Sequence, residues 1–236
     1  MKKPVIGIPS KVRQHDEKDV WHRQEVVDEL RYLIVKYGGI CIMLMPSEET
    51  MKFNESDLGY DTVLSAEEIA DLHSQVDLCD GIILQGGDYS CAYEVEIAKY
   101  AMEKDIPLLG ICAGFNNILR ALGSNIYEDE TKRHSIYDKS YRHEISVEKH
   151  TLLYEIIQSD TYKVNTFHTM IADDERVKPF AQICAHSYDG LVESFTLPDK
   201  KFVLAVKWHP ELMGDEAYCE RLFQRYIEAC KEDKEN

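Results

Sequence analysis

The chain has no apolar run that approaches the ~20 residues needed for a helix to span a bilayer. The apolar stretch at its start is broken by Pro4 and Pro9, so we expect neither a signal peptide nor a membrane anchor, and we expect a cytoplasmic location. Basic residues are also scarce: 27 Lys and Arg stand against 43 Asp and Glu, a formal net charge of −16. This charge disfavours nucleic acid and membrane surfaces as partners, because both are polyanionic.

Paired cysteines are missing too. The seven cysteines have no regular spacing and no CxxC pair, so the sequence predicts neither a zinc site nor a disulfide framework, but reduced thiols. Hydrophobic residues make up 44% of the 236 residues, which is ordinary for a globular protein with a sizeable core. Without repeats, low-complexity stretches or linkers, we expect a single domain over residues 1–236.

The first half of the chain alternates between apolar, strand-like segments and amphipathic, helix-like segments. This alternation predicts a parallel sheet with helices on both faces. Ser65 and Glu68 have the spacing of a capping box at a helix start. The predicted strands are PVIGIPS, CIMLMP, GIILQGG and IPLLGIC, and the predicted helices cover 21–37, a segment from Ser65, 93–104, and the residues after Cys112 to about Leu122.

After Gly123 the pattern changes to shorter segments, many of which alternate between apolar and polar residues. These predict an additional antiparallel β region in the C-terminal half, followed by an amphipathic helix over 215–231. The expected fold class is therefore α/β with a mostly parallel central sheet. The predicted late strands are HEISVEKH, TYKVNTF, AQICAHS, GLVESFTL and KFVLAVKWH.

The sharpest local signal is a cysteine between an apolar strand and a helix. Gly110 and Gly114 flank Cys112 as G-x-C-x-G, the cysteine form of a nucleophile elbow. A tight strand-to-helix turn strains the backbone at the nucleophile, and glycines on either side avoid Cβ clashes. The N–H groups at the helix start then favour the thiolate, so Cys112 is predicted to be a nucleophile.

A nucleophilic cysteine needs a base, a group that orients the base, and donors for the oxyanion. His209 follows an apolar strand, and Glu211 lies two residues further on, within reach of the imidazole from the same loop. We expect the backbone N–H groups of Ala113, next to the nucleophile, and of Gly87, in a glycine turn after another strand, to form the oxyanion hole.

With these pieces in order, the sequence resembles the class I glutamine amidotransferase superfamily, and within it the γ-glutamyl-γ-aminobutyrate hydrolase-like group (peptidase family C26). The resemblance implies a flavodoxin-like α/β sandwich, a triad of Cys112, His209 and Glu211, and cleavage of a γ-glutamyl amide through a thioester, without a metal or organic cofactor. The motifs that carry it are PVIGIPS, GIILQGGD, IPLLGICAGFNNILRALGSNIYED, VNTFH, DGLVES and VKWHPE.

The acyl pocket departs from that group more than the triad does. Ala113 replaces the usual Arg, Asn116 replaces a Gln, Met170 ends a segment that usually reads HHQ, and the loop after Gly87 is shortened. We therefore expect the reaction to carry over, with a substrate that differs in its amine. The candidate substrate-binding residues are Gly86, Asn116, His168 and Glu193.

Three functions remain open from the sequence: a free-standing hydrolase of small γ-glutamyl substrates, a glutaminase subunit that supplies ammonia to a synthase partner, and a non-enzymatic binding protein. The retained triad favours the first two, and a homodimer is possible. Four histidines are predicted to lie at the surface, and two others could lie near the pocket mouth. The former are His134, His143, His150 and His186, and the latter are His15 and His22.

Overall fold

The computed structural model describes residues 2–12, 21, 23–47, 62–87, 91–214 and 216–231. The strands are β1 Val5–Pro9, β2 Lys11–Val12, β3 Gln24–Glu25, β4 Ile40–Leu44, β5 Gly81–Leu84, β6 Leu108–Ile111, β7 Tyr127–Glu128, β8 His143–Val147, β9 Thr161–Val164, β10 Met170–Ile171, β11 Gln182–Ser187, β12 Val192–Thr196 and β13 Val203–Val206. The helices are α1 Asp28–Lys36, α2 Ala66–Val76, α3 Ala92–Glu103, α4 Ala113–Ala121, α5 Leu152–Ile157, α6 Asp174–Val177 and α7 Ala217–Ala229, with a 3-10 helix over Pro210–Met213.

Across the described ranges, nine strands form one sheet in the order β4-β1-β5-β6-β13-β12-β11-β8-β9. The five strands from β4 to β13 in this order are parallel, and the remaining four continue the sheet in antiparallel pairs. The predicted α/β class, with a mostly parallel centre and an antiparallel region in the C-terminal half, is confirmed. The antiparallel strands extend the central sheet rather than forming a layer of their own.

Side chains that alternate along the strands divide the core into two halves. Ile83 and Leu109 belong to one apolar cluster, and their neighbours Ile82 and Leu108 belong to the other. Since successive strand residues point to opposite faces, the two clusters lie on the two sides of the sheet. Helices α1, α5 and α7 contribute to the first cluster, and α2, α3, α4 and α6 contribute to the second. None of the described helices has the length and apolarity that crossing a bilayer requires.

The predicted capping box, which depends on one helix alone, is confirmed. The predicted start of the first helix and the predicted burial of β4, which depend on neighbouring strands, are wrong. The capping box forms, since Ser65 N donates to Glu68 Oε2 (2.6 Å) and Glu68 N donates to Ser65 Oγ (3.2 Å). The first helix begins at Asp28 rather than near residue 21, because β3 pairs with β2 immediately before it. The strand β4, predicted to be buried, leaves Ile40 and Met43 exposed, since it ends the sheet order of the described strands.

Candidate active site

The turn between β6 and α4 has the geometry predicted for a nucleophile elbow. Cys112 has φ 53° and ψ −100°, in a region that residues other than glycine rarely adopt. A Cβ on Gly110 would lie 2.8 Å from Gly114 O, and a Cβ on Gly114 would lie 2.2 Å from Leu84 O. Both glycines are therefore required by close backbone contact, and the backbone N–H of Cys112 is tied to the sheet by donation to Val206 O (2.8 Å).

Replacing Gly114 by Ala is expected to destabilise the fold by about 1–3 kcal/mol, because the new methyl group meets backbone that cannot move aside. The decrease should appear as a lower urea midpoint in equilibrium unfolding. Gly214→Ala provides the control, since a Cβ there has no neighbour closer than 3.8 Å and Gly214 has an ordinary φ of −60°. Equal midpoints for the two variants would contradict the close contact at Gly114.

The sheet places His209 beside Cys112. Strands β13 and β6 are parallel neighbours with Val206 opposite Ile111, so the residues that follow them emerge at the same sheet edge. The His209 Nδ1 lies 2.6 Å from Glu211 Oε1. His209 N donates to Asn165 Oδ1 and Asn165 Nδ2 donates to His209 O, both at 2.8 Å, so this asparagine fixes the backbone of the histidine.

Gly86 lies against the Cε1 edge of the His209 ring. A Cβ on this residue would lie 2.4 Å from His209 Cε1, so only glycine leaves the imidazole in its place. Phe167 packs edge-on against the same ring, with 5.6 Å between the ring centres. The imidazole is thus held by backbone, by an aromatic edge and by the carboxylate of Glu211.

The charges at this site favour a thiolate–imidazolium pair. Burial alone would raise the pKa of Cys112, but the charge and hydrogen bond of His209, with a smaller contribution from Lys207, outweigh it and the pKa is lowered. Burial would lower the pKa of His209, but the negative charges of Glu211 and Cys112 raise it well above the usual value. The two groups therefore stabilise each other's charged forms.

These opposite shifts predict an unusual pH dependence for alkylation of Cys112. An ordinary cysteine loses thiolate about tenfold per pH unit below its pKa of about 8.5, whereas Cys112 keeps its thiolate until the pH falls through its lowered pKa. The iodoacetamide rate at Cys112, followed by peptide mass spectrometry, should change little between about pH 8 and about pH 6. His209→Gln should restore the ordinary steep fall.

Internal controls for this measurement are the buried thiols whose pKa burial raises to about 12, namely Cys79, Cys91, Cys184 and Cys230. They should stay unmodified over the same interval. A Cys112 rate no faster than that of a free thiol peptide would contradict the ion pair.

A cavity of about 300 Å³ opens over the elbow, a volume suited to a small molecule. The Gly87 backbone has φ +150°, a conformation that favours glycine, and Ala113 is the first residue of α4, where N–H groups have no preceding helical carbonyl to bind. The lining residues are Gly87, Cys112, Tyr137, Lys139, Phe167, His209 and Leu212. The structure thus brings the predicted nucleophile Cys112, its predicted base His209 and the predicted oxyanion residue Gly87 to one cavity.

The side chains of the predicted substrate-binding residues are buried. Asn116 is buried on α4, and its Oδ1 accepts a hydrogen bond from Lys207 Nζ (2.6 Å). His168 and Glu193 are buried too, with His168 Nε2 at 3.6 Å from Glu193 Oε1. The described cavity lining includes none of these three, nor Gly86. Contact of these residues with a substrate stays a prediction.

The histidine predictions need one correction. His134 and His143, predicted to lie at the surface, are buried, because loop and strand segments bring them against Glu193. His150 is exposed as predicted, and His186 is half-buried. His15 and His22 lie outside the described residues.

Sequence reasoning missed several residues that shape the site. Asn165 was missed because it falls within a strand-like segment. The available signal is its position next to a buried strand end, where an Asn side chain often hydrogen-bonds to backbone. Lys207 is fully buried, and burial lowers its pKa to about 8. Its position between apolar residues in VLAVKWH is a visible signal for a buried cation. The cavity residues Tyr137 and Lys139 come from an irregular loop, for which no periodic pattern exists.

Comparison with known proteins places these features in a family. A model of the family Peptidase C26 matches residues 91–211, just over half of the chain and a span that includes Cys112, His209 and Glu211. The chain belongs to this family. The resemblance to the peptidase C26 group predicted from the motifs is thereby confirmed.

Individual relatives share about 30% sequence identity or less with part of this chain. The chain is 30% identical over 149 residues to gamma-glutamyl-gamma-aminobutyrate hydrolase PuuD from Escherichia coli (strain K12), which covers 57% of this chain and 58% of that protein. It is 27% identical over 186 residues to CTP synthase from Streptococcus agalactiae serotype Ia, covering 65% of this chain and 35% of the synthase. The chain thus spans well under two thirds of the length of these relatives.

The fold is found in solved structures of low sequence identity. A glutamine amidotransferase from Thermotoga maritima superimposes with a TM-score of 0.58 at 14% identity, covering 100% of this chain and 87% of that one. This likeness supports the flavodoxin-like sandwich predicted from the motifs.

Proposed function

We propose that this chain is a cysteine-dependent hydrolase that cleaves a γ-glutamyl amide and releases glutamate and an amine. The observation that supports it best is the convergence on one cavity of a strained cysteine and a histidine whose Nδ1 lies 2.6 Å from Glu211. A base oriented by a carboxylate and facing an activated thiol is the arrangement that acyl transfer requires.

In the first half of the reaction, the Cys112 thiolate attacks the δ-carbonyl carbon of the γ-glutamyl group. The negative charge that develops on the carbonyl oxygen is accepted by the N–H groups of Gly87 and Ala113, which are in place before the reaction starts. The His209 imidazolium then gives its Nε2 proton to the leaving amine. The C–N bond breaks and a γ-glutamyl thioester on Cys112 remains.

In the second half, neutral His209 removes a proton from a water molecule, which attacks the thioester. The same oxyanion site accepts the second tetrahedral intermediate, and glutamate leaves as the thiolate reforms. Glu211 stabilises the imidazolium at both stages and fixes the Nδ1–H tautomer. Every proton that moves is carried by one imidazole, so these steps require no metal or organic cofactor.

The cavity suggests how a glutamyl group would be held. Its lining combines the rings of Tyr137 and Phe167 with the cation of Lys139, which suits an aliphatic chain ending in a carboxylate. Lys207 Nζ, which donates to Asn116 Oδ1, adds a positive charge near Cys112. The sequence differs from the hydrolase group at Ala113, Asn116 and Met170 and in the length of the loop after Gly87, so we expect the substrate to differ from that of the hydrolase relatives in its amine.

A substrate panel tests this function. The purified chain should hydrolyse γ-glutamyl amides of small amines and leave the matched α-glutamyl amides intact, since only the former place the amide carbon at Cys112 with the carboxylate at the far end. Acid quenching during turnover should trap a γ-glutamyl adduct on the Cys112 peptide. Equal cleavage of both isomers, or turnover without an adduct, would contradict the mechanism.

A glutaminase that serves a synthase is the second candidate, and the similarity to CTP synthase favours it. The triad would act in the same way, with ammonia as the leaving group and a synthase as partner. Glutamine hydrolysis that is weak alone and rises when a synthase is added would support this function. Efficient cleavage of γ-glutamyl amines by the isolated chain, with little action on glutamine, would support the hydrolase.

A further inference from the structure

Four buried side chains, none of which lines the active-site cavity, converge at one point. His134 lies in the segment between β7 and β8, His143 begins β8, His168 lies between β9 and β10, and Glu193 lies on β12. All are at most 6% exposed. The three histidines therefore surround one carboxylate in the protein interior, and we name the four residues the His₃Glu cluster.

The distances within the cluster do not fit hydrogen bonds. Glu193 Oε1 lies 3.5 Å from His134 Nδ1, 3.6 Å from His168 Nε2 and 3.9 Å from His143 Nε2. A nitrogen–oxygen hydrogen bond is about 2.7–3.2 Å long. Ligand atoms placed about 2.0–2.2 Å from a tetrahedral metal ion lie about 3.4 Å from one another, which is close to the observed separations. The ligand atoms of His134, His143 and Glu193 all lie within 4.8 Å of one another.

In two histidines, the hydrogen bond of the outer ring nitrogen shows which nitrogen carries the proton and which one faces the carboxylate without a proton. His168 Nδ1 lies 3.2 Å from Met170 O, and a carbonyl can only accept, so this nitrogen carries the proton. His134 Nε2 lies 3.2 Å from Asp189 Oδ1, again an acceptor. In the neutral rings, His168 Nε2 and His134 Nδ1 therefore present lone pairs towards Glu193, a repulsive arrangement unless a cation lies between them. Outer partners of this kind are typical of metal-binding histidines.

Several polar atoms of the cluster have no hydrogen bond within the described part of the chain. They are both carboxylate oxygens of Glu193, both ring nitrogens of His143, and His168 Nε2. A buried carboxylate without hydrogen bonds is strongly unfavourable. A cation bound between these side chains would supply the partner that their polar atoms lack.

We propose that His134, His143 and Glu193 bind a divalent transition-metal ion, with zinc as the best match to two imidazoles and one carboxylate, and that His168 lies beside this site. The ion, held by three protein ligands with a fourth position left for water, is buried. It ties the segment that carries Tyr137 and Lys139, which line the cavity, to the sheet through His134. The Met170 carbonyl also accepts from Lys207 Nζ (2.7 Å), which links His168, beside the metal site, to this lysine.

The test uses the full chain with Cys112→Ala, because the reactive thiolate and His209 would themselves attract zinc. Titration with Zn²⁺ should bind one equivalent and raise Tm, and a chelator should reverse both effects. Titration with Co²⁺ should give the visible absorption of a tetrahedral site without a thiolate-to-cobalt charge-transfer band. No rise in Tm and no tetrahedral cobalt spectrum would overturn the proposal, and a charge-transfer band would assign the ion to a cysteine instead.

Variants locate the bound ion. Glu193→Gln should abolish stoichiometric binding, and Asp189→Asn, which removes the negative charge of the outer partner of His134, should weaken it about 10–100-fold. Asp189 lies in the turn after β11, so this variant keeps the test decisive if Glu193→Gln does not fold. The matched control is His186→Ala, since His186 is half-buried and also contacts two carboxylates, at Asp174 (2.7 Å) and Glu148 (3.6 Å), outside the cluster.

Metal affinity unchanged by Asp189→Asn, or lowered equally by His186→Ala, would overturn the site. A Glu193→Gln protein that is more stable than its parent, while zinc stabilises neither, would also overturn it, since the cluster would then be a proton-bridged network.

Discussion

Replacing Cys112 by Ala is expected to abolish hydrolysis of the substrate, with a fall in kcat of roughly 10⁴-fold or more, as for other nucleophile deletions. The covalent step has no substitute, because the sulfur is the only nucleophile that the elbow presents at the cavity among the described lining residues. Cys112→Ser should be nearly as inactive, since a hydroxyl does not ionise beside His209 as a thiol does. The measurement is steady-state turnover of the best γ-glutamyl amide, with the trapped adduct as a second readout.

The matched control is Cys184→Ala. Cys184 is a fully buried thiol on β11, and burial raises its pKa to about 12, so it carries no thiolate to contribute. This variant should keep its kcat and lose only some stability. Turnover that survives in Cys112→Ala, with substrate binding intact, would mean that the reaction does not pass through a thioester on this residue.

The sequence was sufficient for the parts of the site that depend on neighbours in the chain. Gly110, Cys112 and Gly114 specify the elbow because the strain and the close contacts they resolve all lie within one strand-to-helix turn. His209 and Glu211 lie two residues apart, so their contact follows from local geometry. The same holds for the capping box at Ser65, and for the apolar runs that predicted the parallel strands.

The sequence was insufficient where distant segments meet. His134 and His143 occur in polar stretches with a surface-like pattern, yet both are buried against Glu193, which lies on a distant strand. Metal ligands are visible in a sequence when they are closely spaced, and no such spacing exists in a cluster whose residues are spread along a large part of the chain. Asn165 was missed for the same reason, since its function is defined by the backbone of His209, which is 44 residues away.

Replacing Glu211 by Gln is expected to lower kcat/KM on the order of 10³–10⁴-fold while leaving the fold intact, as loss of the carboxylate does in related triads. The position of the imidazole should survive, because Asn165 holds the His209 backbone and Gly86 lies against its ring. The loss is then electrostatic: a neutral amide oxygen can still accept from Nδ1–H but no longer stabilises the imidazolium. Glu216→Gln is the matched control, since Glu216 accepts from Tyr162 (2.6 Å) and contacts Arg142 instead of His209.

The pH profile of Glu211→Gln separates this electrostatic effect from simple displacement of the ring. The productive thiolate–imidazolium form exists above the lowered pKa of Cys112 and below the raised pKa of His209. Removing the charge of Glu211 lowers the pKa of His209, so the residual activity should decline on the alkaline side at a lower pH than in the parent protein. The measurement is kcat/KM from about pH 5 to about pH 10. A uniform loss at every pH would show that Glu211 serves only to position the ring, and an unchanged kcat/KM would remove it from the mechanism.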